Sequence, residues 1–277
     1  LFLPLVLPQE IDNTDTGAEA GGSTLVTVLD VGQGTAVVLR SGGRVLVYDT
    51  GGGDPAGANM AAAVLLPFLR QQGVTRLDTL VVSHADNDHS AGASTLLAAL
   101  SPEQVFYGGN IPGLARGRPC VAGQSWVWPG GLRFRFLSPA LESTTGLPSN
   151  DTSCVLQIEA SGSRLLLPGD IEAARERELV RYWTHELASD WLLVPHHGSK
   201  TSSSHTLLKH VRPATAVVSS GYANRFGHPH PTVLVRMAKS GSRIYDTADS
   251  GALEFEFLAG QPVQVRRHRD QRRRFWM

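Results

Sequence analysis

The chain is 277 residues long and 42% hydrophobic, enough for one large domain or two small ones with an ample core. Its 25 Lys and Arg balance its 25 Asp and Glu, so no global field pulls it toward nucleic acid and any such attraction must be local. Lys200, Lys209 and Lys239 are the lysines, so most positive charge is arginine; this suits bidentate contacts to phosphate or carboxylate, although coding bias explains it equally well.

Residues 1–7 are apolar but contain Pro4, and they fall far short of the roughly 20 residues a transmembrane helix needs. They read as the stub of a preceding segment. Residues 9–23 are acidic, glycine-rich and unpatterned, which predicts a linker, so the folded domain is expected over 24–258. A first strand is expected at 25–29, followed by the turn Gly32-Gln33-Gly34. Residues 36–39 and 45–48 form a predicted hairpin across Ser41-Gly42-Gly43, closed at its far end by Asp49-Thr50-Gly51-Gly52. Helical spacing over 60–69 precedes a strand over 77–82, and an Ala/Leu pattern over 91–100 predicts another helix. Residues 105–147 are less regular. Trp126, Trp128, Phe134 and Phe136 alternate there as in a half-buried strand pair, a better fit than a base-stacking platform.

The second half repeats the first. Ser161-Gly162-Ser163-Arg164-Leu165-Leu166-Leu167 aligns without a gap on Ser41-Gly42-Gly43-Arg44-Val45-Leu46-Val47, at an offset of 120 residues. Each hairpin ends near an acidic residue, Asp49 or Asp170. A helix at 173–182, a strand at 191–194, a helix at 205–210 and a strand at 214–219 follow. Two related β-rich halves with helices outside make a four-layer α/β/β/α sandwich. Residues 259–277 carry Arg266, Arg267, Arg269, Arg272, Arg273 and Arg274 and end in aromatics. They read as a solvated basic tail or as a nucleic-acid contact. Cys120 and Cys154 are spaced unlike a zinc knuckle; a disulfide between them requires an oxidising compartment.

The chemistry gathers at Ser83-His84-Ala85-Asp86-Asn87-Asp88-His89, directly after a buried strand. His84 and Asp86 are two apart, so an extended backbone points them the same way. Asp88 and His89 are adjacent and diverge, which suits a second ion beside the first. Asp170 also ends an apolar strand and fits a carboxylate bridging two ions, the alternative being a helix cap. Asn150 and Asp151 are candidates for ligation or for a turn cap. Asp30, Gln33 and Asp49 lie at strand ends on the same expected edge. Asp49 either orients a ligand through a hydrogen bond or stabilises its turn.

These motifs resemble the metallo-β-lactamase superfamily, whose usual signature is His-x-His-x-Asp-His, with Asp86 here in place of the second His. Leu29-Asp30-Val31-Gly32-Gln33-Gly34, Pro195-His196-His197-Gly198-Ser199 and Phe226-Gly227-His228-Pro229 narrow the likeness. Together they resemble the C-terminal hydrolase-like domain of the ComEC family of DNA-uptake channel proteins, from about residue 24 to about residue 258. Thr35 departs from the Asp usual there, and no histidine lies between His89 and Asp170, where superfamily members usually have one. The resemblance implies two divalent ions, one held by His84, Asp86 and Asp170, the other by Asp88, His89, Asp170 and His228. It implies proton transfer by His196 or His197, although simpler members exchange those roles. Oxygen-rich coordination around a single imidazole in the first site favours Mn²⁺ over Zn²⁺. The implied function is a DNA nuclease that degrades the strand not taken up, with DNA and the rest of a membrane channel polypeptide as partners. The implied location is the periplasmic or extracellular side of an inner membrane. The rivals are a small-molecule metallo-hydrolase and a non-catalytic DNA-binding or gating module.

Overall fold

A computed structural model describes residues 22–114, 116–140 and 146–271; residues 1–21 of the expected linker and Arg272, Arg273 and Arg274 lie outside the described residues. Strands β1 (Thr24–Val28), β2 (Val37–Ser41), β3 (Arg44–Tyr48), β4 (Thr79–Val82), β5 (Gln104–Tyr107) and β6 (Arg118–Pro119) open the chain. Then come β7 (Ser125–Trp128), β8 (Leu132–Ser138), β9 (Val155–Ala160), β10 (Ser163–Leu167), β11 (Trp191–Leu193), β12 (Thr215–Val218) and β13 (Arg243–Asp246). The last two, β14 (Leu253–Phe257) and β15 (Gln264–Arg267), return to the first sheet. Strand order is β15-β14-β1-β2-β3-β4-β5-β6 in one sheet and β13-β12-β11-β10-β9-β8-β7 in the other.

The layering follows from the alternation of side chains along each strand. Val37 and Leu39 of β2, and Leu165 and Leu167 of β10, point into one core between the sheets, with Trp191, Phe134 and Phe255. Val38, the intervening residue, faces outward with Val47, Leu80 and Val82 onto the helical segments Ala61–Leu65, Leu66–Gln71 and Ala93–Ala99. Leu166 likewise faces the helices Ala173–Trp183, His205–Val211 and Pro231–Lys239, together with Leu192, Ala216 and Val218. The molecule is therefore the expected α/β/β/α sandwich, and predicted element ends agree with the observed ones to within two residues.

The internal repeat is structural. In each half an antiparallel hairpin, β2–β3 or β9–β10, is extended by parallel strands, β4 and β5 or β11 to β13. The carboxyl ends of those parallel strands carry the polar loops, as expected for such sheets. Tyr48 joins the halves, its hydroxyl donating to the carbonyls of Cys154 at 2.8 Å and Leu167 at 3.2 Å. The alternating aromatics of 126–136 pair across β7–β8, with Trp126 stacked on Phe134 at 4.8 Å between centroids. Cys120 and Cys154 form a disulfide.

The C-terminal boundary requires correction. Strand β15 pairs antiparallel with β14, and Val263 and Val265 pack on the inner core, so the sheet continues past residue 258. Arg266 pairs with Glu254 at 3.2 Å, Arg267 lies over the Tyr245 ring, and Arg269 pairs with Asp30 at 3.0 Å. The charged residues in this stretch conceal a short alternating strand. Arg266 and Arg267 belong to the edge strand β15 and Arg269 to the short helix His268–Gln271, so all three sit in ordered structure rather than in a free tail.

Candidate metal centre

Two strand ends deliver the first carboxylates. After β3 the chain turns at Asp49, whose φ of 62° lies in the left-handed region that Asp tolerates better than most residues. Its fully buried carboxylate accepts from the Ser83 amide at 2.6 Å and the Ser83 hydroxyl at 2.8 Å, and from Nδ1 of His89 at 2.7 Å. The Ser83 hydroxyl in turn accepts from Nδ1 of His84 at 2.9 Å. In the second half, Asp170 follows β10, and its amide donates to the Ser153 hydroxyl at 3.1 Å. His197 follows β11, and its Nδ1 donates to the Ser219 carbonyl, at the end of β12, at 2.8 Å. His196 and His197 both have φ of 52°, unusual backbone for a side chain of their size and typical of functional turns.

With each Nδ1 occupied by a hydrogen bond, the partners assign the same tautomer to all three imidazoles and leave Nε2 facing inward. Nε2 of His89 lies 3.2 Å from Nε2 of His197 and 3.2 Å from Oδ1 of Asp170. Nε2 of His197 is 3.2 Å from Oδ2 of Asp88 and 3.5 Å from Oδ2 of Asp170. His84, His89 and Asp170 form one group able to hold an ion, and Asp88, His89 and His197 form a second. Asp86 stands beside the first, 45% exposed, with Oδ2 3.6 Å from Nε2 of His84.

These donors fit divalent ions. Nε2 of His84 is buried without a hydrogen-bond partner, and two inward Nε2 lone pairs face each other beside carboxylates. Only protons or cations stabilise that arrangement. The electrostatics agree. Burial alone pushes the carboxyl of Asp88 up, but the His197 hydrogen bond and the charge of His89 outweigh it and hold Asp88 at about 2. Burial likewise opposes ionisation of Asp170, yet His89 and His197 keep it well below the carboxylate range. His89 is held well above the usual imidazole value: burial works against this and is outweighed by Asp170 and Asp49.

Several expected residues lie elsewhere. His228 stands outside both groups, its ring 6.5 Å from that of His197, and His197 is the later histidine that joins the second group. The reason is the Ser219 carbonyl, which turns the His197 ring inward. The first group brings together two imidazoles, His84 and His89, where one was expected. His196 is at the rim, with Nε2 3.9 Å from Asp170 and Nδ1 3.6 Å from Glu172. Asp151 accepts from the Glu172 amide at 3.3 Å, and neither it nor Asn150 joins a donor group. Asp30 is engaged by Arg269. The Gln33 side chain accepts from the Gly221 amide at 3.3 Å and so positions another loop. Gly34 is indispensable here, because a Cβ on it would meet the Asp88 carbonyl at 2.5 Å. Ser83 and Ser219 are the partners that sequence reasoning missed. Ser83 had a local signal, a hydroxyl at the strand end beside the first histidine, whereas Ser219 had none.

The sequence profile described as the metallo-beta-lactamase superfamily matches residues 29–222. Recombination protein 2 of Haemophilus influenzae is 39% identical over 239 residues, which cover 84% of this chain and 29% of that protein. Competence protein ComA of Neisseria gonorrhoeae is 40% identical over 232 residues, covering 83% and 32% respectively. The chain thus spans about a third of the length of the curated relatives it matches. Among solved structures, Igni18, a metallo hydrolase from Ignicoccus hospitalis, superposes with a TM-score of 0.56 at 15% identity, covering 84% of this chain and all of that one. YhfI of Bacillus subtilis, a metallo-beta-lactamase fold protein, gives 0.51 at 12% identity, covering 80% and 95%. These two likenesses concern the fold alone. Four strand-end loops converge on the shared donors, and the family profile covers well over half of the sequence; the chain belongs to the metallo-β-lactamase superfamily.

Proposed function

We propose that this chain is a divalent-metal-dependent phosphodiesterase that cuts DNA during uptake, degrading the strand that does not enter. The observation that carries the hydrolytic part is the pair of donor groups meeting at His89, with Asp170 between His89 and His197. The choice of DNA rests on relatives named for competence and recombination.

Because the one free Nε2 of His89 can serve a single ion, Asp88, His89 and His197 would hold one ion and His84 and Asp170, with Asp86 approaching from the exposed side, the other. Bound divalent ions supply Lewis acidity toward a phosphoryl oxygen and acidify water. Asp49 and Ser83 keep the His84 and His89 rings in the productive tautomer. His196, at the rim and beside Glu172, passes a proton to the leaving oxygen. His228 is held below the usual imidazole value by burial and by neighbouring His197 and His196, so at neutral pH it adds no positive charge. The ion beside His84, Asp86 and Asp170 would meet one imidazole among carboxylates, and no thiolate lies in either set, so Mn²⁺ is the favoured activator and Zn²⁺ the competitor. The disulfide suits an oxidising compartment and hence the outer side of an inner membrane, where the domain meets DNA and the channel polypeptide. Among the described residues no helix is long and apolar enough to cross a membrane.

The test is chelation followed by separate re-addition of Mn²⁺, Mg²⁺ and Zn²⁺ in a plasmid-cleavage assay, with a chromogenic ester panel alongside. Highest DNA turnover with Mn²⁺, and its loss in Asp88→Asn and Asp170→Asn, is expected. Turnover confined to esters, with Zn²⁺ best, would return the chain to the small-molecule hydrolases.

A further inference from the structure

The loop of residues 221–230 runs from the end of β12 to the helix Pro231–Lys239 and passes the rim of the donor groups. Among the described residues, five large apolar side chains are exposed, and two of them, Tyr222 at 81% and Phe226 at 53%, are on this loop. Such exposure on a floppy segment would mean little. This loop is held. The Asn224 side chain donates to the carbonyls of Gly221 at 2.9 Å and His228 at 2.5 Å, and accepts from the His228 amide at 3.0 Å. Gly221 is pressed against the Gly32-Gln33 turn, where a Cβ would come within 2.7 Å of the Gln33 nitrogen.

The rings form a ladder. His228 stacks on His197 at 6.5 Å with 21° between planes, and Phe226 stacks on His228 at 5.7 Å with 24°. His196 meets His228 edge-on at 5.8 Å. Near-parallel rings thus lead from a buried donor, His197, out to an exposed one, Phe226. Arg225 lies 4.8 Å from the Phe226 centroid and has no ion-pair partner among the described residues. The guanidinium lies over the ring without an ion-pair partner to hold it there, so it can swing to a phosphate and yield the ring to a nucleobase.

Building on the phosphodiesterase reading, we propose that this loop is a base-stacking platform for single-stranded DNA. One unpaired base lies on Phe226, Arg225 takes a flanking phosphate, and the next phosphodiester is thereby placed at the donor groups. Duplex bases are already stacked on their neighbours and cannot use the platform, so it selects unpaired segments. Gln33 and Asn224 act as positioning residues that keep the loop in place.

The test uses fluorescence anisotropy on the full chain in chelator, where no cleavage intervenes. The probes are a short labelled oligothymidylate, a strand of equal length whose sugars carry no bases, and a duplex. Phe226→Ala should weaken oligothymidylate binding about 5- to 150-fold, the range expected for one lost stack, and leave the abasic strand and the duplex where they were. Phe226→Trp should restore it. Because Phe226 is solvent-exposed and supports no core, the substitutions leave folding intact. Equal affinity of the unaltered chain for thymine and abasic strands overturns the platform, as does an equal loss on both in Phe226→Ala. An unchanged preference in Phe226→Ala also overturns it and assigns the loop to a protein contact. A chain that cleaves DNA yet shows one of these results loses only the platform; one that neither binds nor cleaves DNA loses the phosphodiesterase reading as well.

Discussion

His89 is the side chain common to both donor groups, and its ring is set by one carboxylate oxygen of Asp49, 40 residues away in sequence. Its two neighbours in the second half, His196 and His197, show how a single backbone turn separates roles. Both have φ of 52°, but only His197 finds a carbonyl for Nδ1 and sends Nε2 inward. His197→Ala should therefore lower metal content, while His196→Ala should keep its metal and lose about 10²- to 10⁴-fold in rate. Metal stoichiometry measured beside turnover checks this, and metal loss from His196→Ala with retention in His197→Ala would exchange the two. His84, Asp88, His89 and Asp170, which the structure brings into the donor groups, stood out because they lie in the segments that follow the apolar strands β4 and β10. The choice among His196, His197 and His228 was not, since it depends on the Ser219 carbonyl, a contact across two parallel strands that no local spacing encodes.

At the scale of elements, the repeat of the two glycine hairpins suggested the sandwich that the family resemblance also implied, because hairpin register is a local property. Strand β15 escaped notice for the opposite reason: its arginines dominate the composition, and only Val263 and Val265 mark the buried side. The disulfide is a further element-scale constraint. Cys120 follows β6 of the first sheet, and Cys154, beside β9 of the second, donates its amide to the Ser83 carbonyl at 2.8 Å. The bond therefore ties the sheets together next to the metal loop, across a sequence separation of 34 residues. Reduction, or Cys120→Ser with Cys154→Ser, should cost about 2–4 kcal/mol of stability, mainly by freeing the unfolded chain. Denaturant midpoints with and without reductant measure the cost. Coincident midpoints would mean the bond is absent or redundant.

For the molecule as a whole, the donor groups make stability, metal and protons compete. In the metal-free chain His89 is raised well above 6.5 and His197 is raised as well, in both cases because Asp170 and a second carboxylate outweigh burial. A raised imidazole stabilises the fold fully below its unfolded value of about 6.5, and that contribution is lost as pH rises through the folded value. Asp88, at about 2, and Asp170, lower than its ordinary range, stay ionised throughout that window; their own stabilising contribution fades only in acid, below about 3.8. A divalent ion must displace the imidazole protons, so its binding weakens as pH falls and strengthens as pH rises. The two effects add. The melting temperature of the chelated chain should decline above about pH 6.5, while that of the Mn²⁺-loaded chain holds, so the gap between them should widen from pH 6 to pH 9. Paired thermal melts across that range decide the matter. A gap that is constant, or that narrows with rising pH, would mean that the imidazoles are not the groups on which metal and protons compete.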